Sequence, residues 1–136
     1  TLALFELVSA GLPHLANAKA GRIVAVSTHN AHVFRSDYPV YPISGAVKSA
    51  LETFSRATAA QLAPQGITVN VVVPGLIRKE HGEQFLSPEE WATLPRVIPM
   101  GRIGESDEVG AVIAFLASEA ASYVTGQVIH VNGGLC

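Results

Sequence analysis

The sequence holds a single cysteine, Cys136, at its last position. That excludes a disulfide framework and a cysteine-based metal site. Charge is also scarce: Asp, Glu, Lys and Arg make up 15% of the chain, with a formal net charge of −2. Such a balance gives no electrostatic reason to expect nucleic acid or an anionic membrane as partner. No apolar run approaches the ~18–20 residues that span a bilayer. Residues 1–20 are apolar but carry Glu6 and His14 and lack a basic start, unlike a signal peptide. A reducing, cytoplasmic setting is the expectation. The chain opens on Thr1 rather than methionine, and Thr1–Leu15 reads as the middle of a helix with no capping pair before it. A fragment or a processed chain is expected from this.

What is abundant is apolar: 49% of the 136 residues, a composition suited to one domain built on a buried sheet. Leu2, Phe5, Leu7, Val8, Leu12 and Leu15 recur at helical spacing, which predicts an amphipathic helix over 1–17. Arg22–Ser27 is a short β-branched run, the pattern of a strand covered on both faces. Residues 28–41 hold no helical period and contain Tyr-Pro twice, so they read as a loop. Pro42 suits a first helical position, opening a long helix over 42–63 that Pro64-Gln65-Gly66 closes. A second buried strand covers 67–73 and stops at Pro74-Gly75. Ser87 is expected to cap a short helix with Pro88 first, and Ser106 to cap another over 108–118. The last strand is 127–131, ended by Asn132-Gly133-Gly134. Alternation of this kind, with continuously apolar strands, predicts a parallel sheet with right-handed helical crossovers. Three strands are few for such a sheet, and strands 22–27 and 67–73 need cover on both faces.

In open parallel sheets ligands bind beyond the carboxyl ends of the strands. Here those ends are Ser27-Thr28, Pro74–Lys79 and Asn132–Gly134. His29 and His32 lie beside the first and could line a pocket. Two histidines three apart without a third ligand make no metal site, and none is expected. His14, His81 and His130 read as incidental. Trp91, with Leu86, Leu94 and Val97, marks a helix that either covers a cleft or belongs to a satellite core.

GRIVAVST, a tyrosine-rich loop, then KSALETFSRATAAQLAPQGITVNVVVPG and PMGRIGESDEVGAVIAFLASEAASYVTGQVIHVNGG resemble short-chain dehydrogenases/reductases from their fourth helix to their last strand. The resemblance implies an α/β fold of the Rossmann-like doubly wound class. Residues 1–136 would be the C-terminal part of one such domain, without its dinucleotide-binding N-terminal half. It implies an oxidoreductase using NAD or NADP on a carbonyl/alcohol substrate, acting as a homo-oligomer, a dimer or tetramer. The family's glycine-rich turn, G-x-G-x-x-G, has no counterpart among the twelve glycines here.

By the same resemblance Lys48 would hold the nicotinamide ribose and lower the pKa of a catalytic tyrosine. Thr28 would orient the substrate oxygen, and Pro74, Gly75 and Ile77 would contact the nicotinamide carboxamide through backbone groups. Lys79 stands where the family usually has threonine. The tyrosine itself departs from the commoner pattern, because four residues before Lys48 stands Ser44. Tyr41 lies seven before Lys48, a rotation of about 700°, so the two share a helix face roughly 10.5 Å apart along the axis. That Y-x6-K spacing resembles the enoyl-acyl-carrier-protein reductases of the superfamily. Tyr41 also follows Thr28 by thirteen residues, as in the keto-reductases. Tyr41 is the expected acid/base, with Tyr38 or Ser44 as other donors. The alternatives are an enoyl-thioester reductase and a non-catalytic dehydrogenase-like protein, the latter supported by Ser44.

Overall fold

The computed structural model describes residues 2–78 and 87–135. Along the chain it forms α1 (Leu2–Ala16), β1 (Arg22–Val26), α2 (Pro42–Leu62), β2 (Thr68–Pro74), α3 (Pro88–Thr93), α4 (Ser106–Ala117) and β3 (Val128–Val131), with 3-10 turns between several of them. The strands form one parallel sheet in the order β1-β2-β3, with Val26 opposite Val72 and Pro74 opposite Val131. Each crossover therefore carries helix, as parallel strands require.

β2 is the axis of the core. Alternate side chains of a strand point to opposite faces. Val71 and Val73 pack with Ala25 and with Leu51 of α2, while Val69 joins Ala59, Leu62 and the inward side of α1. Val72 points the other way, into a cluster with Val109 and Leu116 of α4. A strand buried on both faces has no use for alternating polarity, which explains the unbroken valines. Of its two buried polar residues, Thr68 and Asn70, the second is paired through both ends of its amide: the nitrogen donates to the Val124 carbonyl at 2.7 Å and the oxygen accepts from Gln127 N–H at 3.1 Å.

Three local expectations need correction. The inward face of α1 is Leu4, Val8, Leu12 and Leu15, while Leu2 and Leu7 point to solvent. Ser106 is the first residue of α4 rather than its cap. Glu105 takes that place, and the Glu108 carboxylate accepts its N–H at 2.8 Å, as in a capping box. The loop after β1 is not featureless either. A 3-10 turn at His29–Ala31 is capped by Thr28, whose hydroxyl accepts from Asn30 N–H at 3.4 Å. No helix among the described residues is long and apolar enough to cross a membrane.

Candidate active site

The carboxyl end of β1 and the first turns of α2 meet at close range. Gly45 makes this possible, since a Cβ there would sit 2.6 Å from the Asn30 carbonyl oxygen. One turn on, the Lys48 ammonium donates to the Val26 carbonyl at 2.7 Å. An ammonium has three donors, so two remain. Thr28 follows Val26 by two residues, and its capping contact uses the oxygen and leaves the hydroxyl hydrogen to donate. Lys48 and Thr28 are thus brought to one strand end. Tyr41 stands at the start of α2 with φ −117° and ψ 79°, outside the helical region, as Pro42 after it dictates. Its carbonyl accepts Gly45 N–H at 2.9 Å, and its side chain is half exposed. Ser44 is exposed in the same turn.

Tyr38 is engaged elsewhere. It is buried, and its hydroxyl lies 2.9 Å from His29 Nε2, while His29 Nδ1 lies 3.3 Å from the Pro74 carbonyl. A carbonyl can only accept, so Nδ1 carries the hydrogen and Nε2 accepts the Tyr38 proton. Burial lowers the His29 pKa, against the opposing pull of the Pro74 and Gly75 carbonyls. Burial, with the nearby Tyr41 phenol, pushes Tyr38 up to about 12. His29 is therefore a tie between the β1 and β2 ends under the 28–41 loop, and not the open pocket wall its position suggested.

At the end of β2, Gly75 passes the β3 end closely. A Cβ on it would meet Asn132 Cα at 2.6 Å, and its N–H donates to the Val131 carbonyl at 2.9 Å. Ile77 forms an isolated parallel bridge with Gly104, in which Gly104 N–H reaches the Leu76 carbonyl and Arg78 N–H the Gly104 carbonyl. In a parallel bridge of this kind the central residue's own N–H and C=O face away from the partner. Ile77 thus presents both backbone groups away from Gly104. A cleft of ≈ 550 Å³ lies beside this turn, lined by Leu76, Ile77, Met100, His130 and Asn132 among others. At its rim Arg102 holds Glu108 with two hydrogen bonds of 2.8 and 2.6 Å, and with the Glu105 N–H draws the Glu108 pKa down to about 2. Lys79, His81 and Leu86 lie outside the described residues. Trp91 is half-buried in α3.

One polar cluster escaped the reading of the sequence. Glu52, buried in α2, accepts from the buried Ser27 hydroxyl and from His32 Nε2 at 3.0 Å. The His32 ring stands edge-on to that of His130, 4.5 Å between centroids. Burial and then His32 lower the His130 pKa, with Glu52 opposing. The signal was present: Gly45, Lys48, Glu52 and Ser55 recur at helical spacing on the sheet-facing side, where a carboxylate is out of place. Among the described residues no group of three or more His, Cys, Asp or Glu side chains is arranged to hold a metal.

Comparison with known proteins covers the whole chain. Residues 1–136 match the family model described as enoyl-(acyl carrier protein) reductase. The chain is 36% identical over 132 residues to the 3-oxoacyl-[acyl-carrier-protein] reductase of Salmonella typhimurium, covering 97% of this chain and 52% of that protein. Among solved structures it is similar to YwfH, an NADPH-dependent reductase involved in bacilysin biosynthesis, with a TM-score of 0.88 and 30% identity. That similarity covers 100% of this chain and 55% of the other. It is also similar to a gluconate 5-dehydrogenase from Burkholderia cenocepacia, solved with NADP and tartrate, with a TM-score of 0.84 and 28% identity over 96% of this chain and 51% of that one. The chain spans about half the length of the proteins it matches.

Proposed function

The chain belongs to the short-chain dehydrogenase/reductase family, and on that premise we propose that the intact protein is an NAD- or NADP-dependent oxidoreductase acting on a carbonyl/alcohol pair. The observation that carries this reading is the Lys48 ammonium, anchored on the Val26 carbonyl beside Thr28, with Tyr41 at the start of the same helix. A nicotinamide cofactor supplies or accepts the hydride. Lys48 has two donors left for its ribose hydroxyls, and Ile77 has a free-facing N–H and C=O for its carboxamide. The Pro74-Gly75 turn sets where Ile77 stands. These groups fit the cofactor's chemistry.

In the reducing direction Thr28 donates a hydrogen bond to the substrate oxygen, which stabilises charge as it develops there. Tyr41 gives that oxygen its phenolic proton, and Lys48 favours the phenolate left behind. Tyr38 is unsuited to the role, because its proton is committed to His29 and burial disfavours its ionisation. Ser44 is unsuited by chemistry, since a hydroxyl of that kind lies far above the range one lysine can correct. The similarity to a 3-oxoacyl reductase favours 3-oxoacyl thioesters as the first substrates to try. A second reading, reduction of an enoyl thioester, is favoured by the seven-residue spacing of Tyr41 and Lys48.

We further place the enzyme in the cytoplasm as a homo-oligomer. Leu2, Leu7 and Ile43 are exposed on α1 and α2, and β1 and β3 each have an edge unpaired among the described residues. The test is turnover by the intact protein of acetoacetyl and crotonyl thioesters with NADPH and NADH. Acetoacetyl turnover is expected, lost by about 10²–10⁴-fold in Tyr41→Phe. Crotonyl turnover alone would favour the enoyl reading. Cofactor-dependent turnover unaffected by Tyr41→Phe would remove the assignment of the proton donor.

A further inference from the structure

We infer that Glu52 is a positioning residue for the site, holding in place the strand end that carries both the Lys48 acceptor and Thr28. The inference rests on the reading of Lys48 and Thr28 given above. Its basis is the placement of the two donors. Ser27 directly precedes Thr28, and His32 follows it just past the 3-10 turn, so one carboxylate grips the segment on both sides of Thr28. Ser27 is also the residue after Val26, whose carbonyl holds Lys48 at 2.7 Å.

Glu52 and Lys48 stand four apart on α2 and so lie on one face, a single turn from each other. Adjacent levels of the helix therefore seize adjacent residues of the strand end: Lys48 takes Val26 and Glu52 takes Ser27. Apolar packing could cover this part of the sheet, as Leu51, Ala59 and Leu62 do nearby. A buried carboxylate is costly unless fully engaged. What it adds over a leucine is direction, since two charge-assisted hydrogen bonds fix the segment where packing alone would let it slide. His32 is itself braced by the edge-on His130 ring from β3. The clamp thus spans α2, the loop after β1, and the far strand.

The experiment is a double-mutant cycle in the intact protein, joining Glu52→Gln with Lys48→Ala. Kd for NADPH and NADH is read by cofactor fluorescence, and kcat and KM with acetoacetyl thioester. Lys48→Ala is expected to weaken cofactor binding and lower kcat. Glu52→Gln is expected to lower kcat about tenfold with KM within about twofold, since misplaced reacting groups lose rate before they lose substrate. In the Lys48→Ala background the same change should lower kcat by a smaller factor than in the parent, because the part of its effect that runs through Lys48 is already gone and only the part through Thr28 remains. Ser27→Ala should reproduce the loss and Ser27→Thr, which keeps the hydroxyl, should restore kcat. That pair carries the test if Glu52→Gln does not fold. Failure to bind either cofactor, or an unaffected Lys48→Ala, would overturn the reading of the site and this inference with it. A normal Lys48→Ala effect with Glu52→Gln silent, or equally damaging in both backgrounds, would overturn the inference alone.

Discussion

Replacing Tyr38 and Tyr41 by phenylalanine should produce opposite phenotypes, although the two residues stand three apart in one loop. Tyr38→Phe removes a hydroxyl that donates to His29 Nε2 at 2.9 Å inside a buried cluster with Val33 and Leu135. The His29 tautomer is set from the other side by the Pro74 carbonyl, so Nε2 cannot find a new use and becomes an orphaned buried acceptor. Such a loss costs about 1–3 kcal/mol. At about 2–4 °C per kcal/mol in a domain of this class, the melting temperature should fall by about 2–12 °C. The phenol of Tyr41 has no hydrogen-bond partner among the described residues and is half exposed. Its removal should change stability by no more than about 0.5 kcal/mol while abolishing most turnover. The assay is thermal unfolding of the intact protein beside steady-state kinetics on the same samples. A Tyr38→Phe protein that melts like the parent but is catalytically dead would refute the reasoning and move the proton donor three residues upstream.

Two further outcomes follow from the geometry. Gly75→Ala should cost about 1–3 kcal/mol by forcing the β2 and β3 ends apart, since the new methyl would lie 2.6 Å from Asn132 Cα. It should also weaken cofactor binding through Ile77, and unchanged melting and affinity would show that the contact relaxes freely. The buried His29, with its pKa below the ordinary value, binds a proton more readily unfolded than folded. Stability should therefore fall as pH drops below about 6.5, and a melting curve against pH that is equally steep in His29→Asn would exclude His29 as the cause.

The order of elements was legible because β-branched runs buried on both faces and proline-marked helix starts are local signals. Val71–Val73 could only be an interior strand, and Pro42 could only begin α2. Tyr41 at the start of that helix was legible for the same reason. What was not legible depended on partners distant in sequence. His29 read as a pocket residue because nothing local shows that Pro74 and Tyr38 occupy both its nitrogens. Glu52 went unremarked, although its place on the sheet-facing side of α2 marked it, because Ser27 and His32, its two donors, come from a segment with no regular period. The cap of α4 was misplaced by one residue since Ser, Asp and Glu all suit the position, and the choice fell to the bond between Glu105 N–H and Glu108.

The bridge between Ile77 and Gly104 divides the chain by duty. Leu76–Arg78 and Gly104 are joined by a pair of backbone hydrogen bonds, while ahead of that bridge Met100 N–H donates to the Gly133 carbonyl at 3.0 Å and Ile98 is buried against the glycines that follow β3. Changes of length and sequence are therefore tolerated ahead of Val97, and not in the 97–103 turns that pack on the sheet ends. If the proposed function holds, grafting the corresponding stretch from a reductase of different preference, cut at Arg78 and Arg96, would change what the protein accepts while leaving the Pro74–Ile77 turn in place.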